Sequence, residues 1–538
     1  MPEVHDYIVV GSGCTGAMVA QTLVESGVRV TMLDVGVQDK TYKGVIPKKD
    51  FISIRKEENE QHEYLLGKNF ESIPLGNVGT GAQLTPPRKF MTELVEKYLP
   101  LVSENFFPME SLAYGGLGNG WGLGCCEFSR LELEKCGLDV LEMKSAYKII
   151  SERIGISGSK DDASAYTIGE LDNVMPPLEM NTNNKLIFEK YQQKKEKLNS
   201  RGFFMGRPAL AVLTEDKGER KKYNYDEMDF YSDNGKSAYR PWITVDELRK
   251  KNNFNYTNNV LVTDFSEENN MTKVSALNVE TNEHVSYFCK KLILTPGVLV
   301  TARIVLRSFR KQESNLPLIS NVYTYMPCIN WKMLGKEMDE KNVGFAQLTL
   351  LHDANKENFD VAMASLYSYR SLMLFRLLKE TPLNFRDGRI IMNYLLPALT
   401  ILGIHHPEQG GESKFLKIKT DQDSPTGDKL IVEYKLTKEE KEKNNSIEKK
   451  FIRAMRSLGC KTLKKVNPGN GSSIHYAGTL PFNDEQKQFS VSHSGKLNGT
   501  KNVFVADGSG FKYLPAKGLT FSLMANAHIV AKNVLKNE

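Results

Sequence analysis

The sequence is short of the features that most quickly place a chain. Its seven cysteines are an odd number without regular spacing, and no C-x-x-C pair occurs. That argues against a disulfide framework, structural zinc or an iron–sulfur cluster, and no metal site is expected. Charge of one sign is also lacking. Lys and Arg number 71 against 65 Asp and Glu, and the net +6, spread over 538 residues, gives no reason to expect nucleic acid as a partner. No apolar run approaches the roughly 20 residues that a membrane-spanning helix needs. The longest, Ile390 to Ile404, is interrupted by Asn393, Pro397 and Thr400. It reads as a buried strand–turn–strand or core helix. A peripheral membrane contact, helped by Leu372, Leu374 and Phe375, is the lesser alternative. The opening Met1-Pro2-Glu3-Val4-His5-Asp6 has no basic n-region and no cleavage site, so a reducing, cytoplasmic setting is expected.

What is present describes an ordinary globular protein, 40% apolar and 25% charged, with length for two to four units. The first forty residues are the most legible. Tyr7-Ile8-Val9-Val10 is a continuous apolar strand of the kind buried inside a parallel sheet. Gly11-Ser12-Gly13-Cys14-Thr15-Gly16 follows at once, and helical periodicity then runs through Val19, Ala20, Leu23 and Val24 until Gly27. Val28 to Leu33 is a second apolar strand ending at Asp34, which completes a βαβ unit.

The glycine spacing has a physical purpose. Gly11 makes the tight turn, Gly13 lets the backbone approach a pyrophosphate, and Gly16 allows close helix–strand packing. Helix amides, including those of Cys14 and Thr15, would face the phosphates with the positive end of the macrodipole. Asp34 would accept hydrogen bonds from a ribose hydroxyl pair and repel a 2′-phosphate, which favours FAD or NAD over NADP. The far end of the chain chooses between those two. Val503 to Ser509 is a strand running into a loop, and a helix begins near Gly518. A second helix N-terminus would thus be aimed at the cofactor, where it would stabilise an anionic reduced flavin.

Elsewhere the pattern is coarser. Residues 38–110 are irregular, with one helix-like stretch near Met91 to Leu101. Val260 to Phe265, Val274 to Val279 and Leu292 to Leu294 read as a meander, and Val298 to Leu306 as a helix. Lys438 to Lys450 is a charged helix surface, and Leu519 to Val534 a closing amphipathic helix.

Taken together, these segments resemble the glucose–methanol–choline (GMC) flavin oxidoreductases. Leu33-Asp34-Val35-Gly36 is similar to that family's L-E-x-G, and Gly115 to Gly122, with Gly116, Asn119, Gly120 and Trp121, to its second glycine-rich segment. Leu292 to Gly297 is similar to the V-I-L-S-A-G strand, and Val262 falls where the family sets a valine near the adenine. His475-Tyr476-Ala477-Gly478-Thr479 matches H-x-x-G-T, and Ala506-Asp507-Gly508-Ser509 matches A-D-x-S. Gly518, Leu519 and Thr520 open the last helix beside the cofactor. The likeness spans the chain in order, while residues 155–250 and 311–455 match in layout alone.

The resemblance implies an α/β fold, a Rossmann-like FAD-binding domain joined to an α+β substrate domain whose mixed or antiparallel sheet is covered by helices. The FAD-binding domain would be assembled from 1–37, 110–150, 255–310 and 460–538, with 38–109 as an extended insertion or lid. The substrate domain would comprise 151–254 and 311–459. The resemblance further implies FAD, non-covalent because no His lies among residues 115–124, and oxidation of a small-molecule alcohol. His475 would take the hydroxyl proton while hydride passes to flavin N5. The family's second catalytic His or Asn falls on Gly518 here, and the neighbouring Lys517 is a candidate to fill its place. Leu514 to Gly518 is similar to variants in sugar- and polysaccharide-associated branches, so a sugar, polyol or natural-product alcohol is the first expectation for substrate. The electron acceptor stays open among oxygen, a quinone and a protein. The alternatives are a flavin lyase without net oxidation and a partner-dependent flavoprotein. His405-His406-Pro407 could line the substrate cavity, and Tyr225, Tyr239 and Trp242 could pack on a ring.

Overall fold

The computed structural model describes residues 3–69, 84–228, 231–268, 270–339, 343–368, 384–485 and 487–536. Leu372, Leu374 and Phe375 lie outside them. Strand β1 (Val4–Val10) is buried over its last four residues, as a continuous apolar strand at the centre of a sheet requires. Helix α1 (Cys14–Glu25) follows the glycine turn, and β2 (Val30–Leu33) returns parallel to β1 with Val9 beside Met32.

Around this unit the sheet runs Phe254–Thr257, β2, β1, His284–Leu294, Met271–Asn278 and Val260–Glu268, and Val503–Val505 also pairs with His284–Leu294. The eleven-residue strand His284–Leu294 joins two arrangements. Its first half closes an antiparallel meander, and its second half lies parallel between β1 and Val503–Val505. The start, middle and end of the chain are thereby held in one sheet. The closing helix Leu519–Lys536 packs beside both α1 and the helix Val140–Ile154.

A second sheet of six strands is antiparallel throughout, in the order Cys460–Thr462, Val322–Asn330, Leu399–His406, Ala362–Ser368, Ala346–His352 and Phe203–Gly206. Side chains alternate across it. Met326, Cys328, Leu402, Ile404, Ala364 and Leu366 point to one face, where Ile187 and Tyr191 of helix Thr182–Asn199 and Phe451 and Met455 of helix Lys438–Ser457 close a core. The other face looks toward the first sheet. The architecture is that of a Rossmann-like α/β domain with a helix-covered antiparallel domain.

Several segments differ from expectation. The stretch 390–404 is the end of a helix (Phe385–Leu395), a short turn carrying Pro397, and the strand Leu399–His406. The strand and the turn residues Pro397 and Ala398 are buried, and Ile390, Ile391 and Tyr394 are exposed. Met91 to Leu101 is not one helix but the end of a 3₁₀ helix (Pro86–Thr92), a single turn (Val95–Tyr98) and a two-residue strand. The hairpin Lys414–Thr420/Asp428–Tyr434 was expected with the second domain. Its Leu416, Ile418, Leu430 and Val432 pack instead into the same core as the first sheet, because Leu101–Val102 extends the hairpin on that side. Ala209 to Val212, Ala238, Tyr239 and Val245, also expected in the second domain, share that core. All seven cysteines are free. Among the described residues no helix is long and apolar enough to cross a membrane.

Candidate active site

A cavity of about 520 Å³ opens where the carboxyl ends of the parallel strands meet the free face of the antiparallel sheet, the place where open α/β sheets bind ligands. Val10, Leu33 and Thr295 supply its first wall, and Tyr323, Met363, Ser365, Tyr367 and His405 the wall opposite.

At one end the three motif glycines divide their work. Gly11 has φ +95°, and a Cβ there would come within 3.0 Å of Pro296 Cα. A Cβ at Gly16 would meet the Gly11 carbonyl oxygen at 1.9 Å, so this residue sits behind the cavity wall and fixes α1 against the turn. Gly13 has nothing within 4 Å of its Cβ position. The protein itself leaves that space open. Gly13 is also the N-cap of α1 and offers no side-chain acceptor, so first-turn amides face the cavity uncapped. A second helix, Val298–Ser308, begins at Gly297 with φ +97°, again without a side-chain cap and with open space at its Cβ position. The closing helix begins directly after Gly518. Three helix starts, at Cys14, Val298 and Leu519, therefore meet one cavity, a field suited to an anionic ligand.

Asp34 stands at the end of β2 and is buried. Its Oδ2 accepts from Ser12 Oγ at 2.5 Å and from the Tyr256 hydroxyl at 2.9 Å. Its Oδ1 has a long contact of 3.4 Å from the Ser12 amide, which leaves it able to accept from a ligand hydroxyl. Burial pushes the carboxyl up to about 6, against the pull of the Ser12 and Tyr256 donors. Ser12 Oγ also accepts the Gly115 amide at 2.8 Å, tying the second glycine-rich segment to the first turn. Gly116, Gly120, Trp121, Val262 and Thr15 line the cavity along this side, and so does Cys14, whose thiol burial pushes up to about 12.

At the other end stands His475, on the segment leading into the short strand Tyr476–Ala477. It follows Ile474, a β-branched residue held at φ +60°, a conformation that costs about 1–3 kcal/mol and marks a position the surroundings enforce. The ring's Nδ1 lies 3.0 Å from Asn321 Oδ1. The Asn321 amide donates through Nδ2 to the carbonyls of His406, Leu514 and Pro515, which fixes Oδ1 as an acceptor. His475 Nδ1 must then carry the hydrogen, and Nε2 keeps its lone pair. Burial pushes the imidazole down to about 4, so it is neutral near pH 7.

Asp507, Gly508, Gly518, Leu519 and Thr520 also line the cavity. Asp507 is already engaged: Thr301 Oγ1 donates to Oδ2, and the amide and hydroxyl of Ser509 donate to Oδ1. It holds the last strand to helix Val298–Ser308. Asn119 is turned away from the cavity and binds its own turn, donating to the carbonyls of Tyr114 and Gly116.

Lys517 does not reach the place considered for it. Its ammonium is fully buried, 2.7 Å from Glu132 and 2.6 Å from Asn358 Oδ1, and faces away from the cavity. An uncompensated charge could not be held there, and the pairing with Glu132 decides its direction. Tyr225, Tyr239 and Trp242 are not in the cavity wall. The Tyr225 hydroxyl accepts from the Glu179 amide, and Tyr239 pairs with Thr244. His405 and His406 separate by strand alternation. His405 faces the cavity, and His406 faces Glu448 of the covering helix at 3.4 Å. Tyr256, Asn321 and Tyr323 carried no motif, and Ser12 stood in the glycine turn as an unassigned position, since each acts through a fold-dependent neighbour far away in sequence.

No protein-family profile matches the chain, and no curated protein matches it in sequence. Solved structures do. The crystal structure of pyridoxine 4-oxidase from Mesorbium loti superposes with a TM-score of 0.59, covering 98% of this chain and 98% of that one. The chain has the fold of that oxidase. At 12% identity the likeness is one of fold, and the chemistry has to be argued from the residues above.

Proposed function

We propose that the protein is an FAD-dependent alcohol oxidoreductase of the GMC type, acting on an uncharged CH–OH substrate. The observation that carries this reading is His475. An imidazole whose tautomer is set by Asn321 presents an unprotonated Nε2 to a cavity on which three helix starts converge. The structurally similar protein is by name a pyridoxine 4-oxidase, which fits a hydroxyl-bearing substrate.

The residues present suit the cofactor. The space at Gly13 would admit a pyrophosphate beside the α1 amides, and Asp34 Oδ1 would accept from a ribose hydroxyl. Val262 and Trp121 would offer apolar contact, and Gly297, Asp507, Gly508 and Gly518 to Thr520 would border the ring system. Residues 115–124 hold no histidine, so attachment would be non-covalent. A bound flavin supplies a two-electron acceptor. The chain's own part is to bring the hydroxyl to His475 Nε2, which accepts its proton in an enclosed site. The wall opposite presents Tyr323, Ser365 and Tyr367, and no Lys or Arg lines the cavity among the described residues. Asp34, Glu110 and Asp507 are its acids, and Glu110 is paired to Arg303 at 2.7 Å. A phosphorylated or carboxylated substrate would find no counter-charge at the substrate wall, whereas a neutral polyol or aromatic alcohol finds hydroxyls and rings.

His475→Ala should keep its FAD and lose at least about 10²-fold in turnover. Near-normal turnover in that variant, with flavin retained, would overturn the role given to His475.

A further inference from the structure

We propose that His405 is a second catalytic imidazole, reaching the reacting hydroxyl from the antiparallel sheet rather than from the C-terminal segment. The proposal rests on the alcohol-oxidising reading above and adds a residue to it. The rings of His405 and His475 are stacked, centroids 5.1 Å apart and planes 23° from parallel. Tyr323, directly opposite His405 in the sheet register, also packs on its ring at 4.6 Å. Held between these rings, His405 has its edge left for chemistry. Among the described residues no protein group hydrogen-bonds to the His405 ring. Its nitrogens are not sealed in, as both nitrogens of His406 are, and they open on the cavity. A polar edge placed in this way, beside the proposed base and without a protein partner, is suited to a ligand.

The two imidazoles have different tasks. Asn321 commits His475 to accepting through Nε2. His405 has no such partner, and burial together with the adjacent His475 holds it well below the ordinary imidazole range, hence neutral with one N–H to donate. In the step proposed, the substrate O–H bond breaks and its proton passes to His475 Nε2. The C–H pair would leave as hydride to the two-electron acceptor that a bound flavin would supply, and the oxygen's freed pair would form the C=O bond. His405 donates a hydrogen bond to that oxygen throughout and exchanges no proton. The C-terminal segment cannot offer this contact at Gly518, where a Cβ would come within 2.8 Å of the Gly124 carbonyl oxygen.

Two variants separate this role from packing. His405→Phe keeps a ring in the stack and removes its nitrogens, and His405→Asn restores an N–H donor without the ring. Flavin reduction is followed anaerobically in a single turnover with an alcohol that reduces the wild type. His405→Phe should slow reduction at least about 10²-fold, the cost of losing one donor at a developing oxyanion, with FAD content and melting temperature retained. His405→Asn should recover part of the loss, and it carries the test alone if the phenylalanine variant does not fold. Reduction within about threefold of wild type would overturn the proposal. A second readout does not depend on oxidation. In ¹⁵N-histidine-labelled protein titrated with 2,2,2-trifluoroethanol, an alcohol that resists hydride loss, the ring signals of His405 and His475 should shift with one dissociation constant. A His475 shift without a His405 shift would count against His405. A wild type that no alcohol reduces would count against the functional reading instead, and the ¹⁵N titration would still decide whether His405 meets a hydroxyl.

Discussion

Asn321 decides which nitrogen of His475 meets the cavity. Its amide is oriented by three backbone carbonyls, so the imidazole is locked in the Nδ1–H form by an amide oxygen rather than a carboxylate. Two consequences can be measured. Burial pushes His475 down to about 4. Only the neutral ring accepts a proton, so kcat/KM should climb with rising pH, reach half its plateau near pH 4, and stay flat through the ordinary imidazole range near pH 6.5. An acid limb at pH 6–7 in wild type would contradict the enclosed environment assigned to the ring. Asn321→Ala should leave FAD content unchanged and lower the rate of flavin reduction roughly 10-fold or more, through loss of the productive tautomer. Unchanged reduction in that variant would show that the tautomer is held some other way.

At the level of elements, the turn into α1 makes a sharp distinction between glycines that one motif groups together. Gly16 packs a Cβ position onto the Gly11 carbonyl at 1.9 Å, whereas Gly13 faces open space. Gly16→Ala should therefore lower the melting temperature of the protein whether or not FAD is present. Gly13→Ala should leave the melting temperature of the flavin-free protein unchanged and weaken FAD binding at least about 10-fold, measured by flavin fluorescence on reconstitution. Equal FAD affinity in Gly13→Ala would remove the pyrophosphate from that turn. The same βαβ unit was the most legible part of the sequence, because strand, turn and helix there are local and each residue's pattern agrees with its neighbours. The meander, the helix Val298–Ser308 and the closing helix were legible for the same reason. Elements set by distant partners were not. The hairpin Lys414–Tyr434 alternates as any edge strand would, and nothing in its own pattern says which core receives Leu416 and Val432. Lys517 was adjacent in sequence to a cavity residue, but the buried carboxylate of Glu132 turns it the other way.

At the level of the whole molecule, one cavity is built from parts that lie far apart in the chain. Residues near 12, 34, 115, 297, 321, 405, 475 and 518 converge because the first, middle and last segments share one sheet and a second sheet faces it. Motifs marked most of the proposed cofactor side in advance. The substrate wall carried almost none, since its residues are alternate positions of ordinary strands and gain meaning from the face they are on. Tyr323 and His405 became neighbours through strand register. The arrangement places a neutral, hydroxyl- and ring-lined wall opposite the helix starts, and the account stands on a hydroxyl being oxidised there. The most direct test is the absorbance spectrum of the FAD-reconstituted protein, followed anaerobically while uncharged polyols, sugars and aromatic alcohols are added, each beside a phosphorylated counterpart. The account predicts a flavin spectrum that bleaches with at least one neutral alcohol and not with its phosphorylated form. Bound flavin that no alcohol bleaches, or bleaching by the phosphorylated form alone, would contradict it.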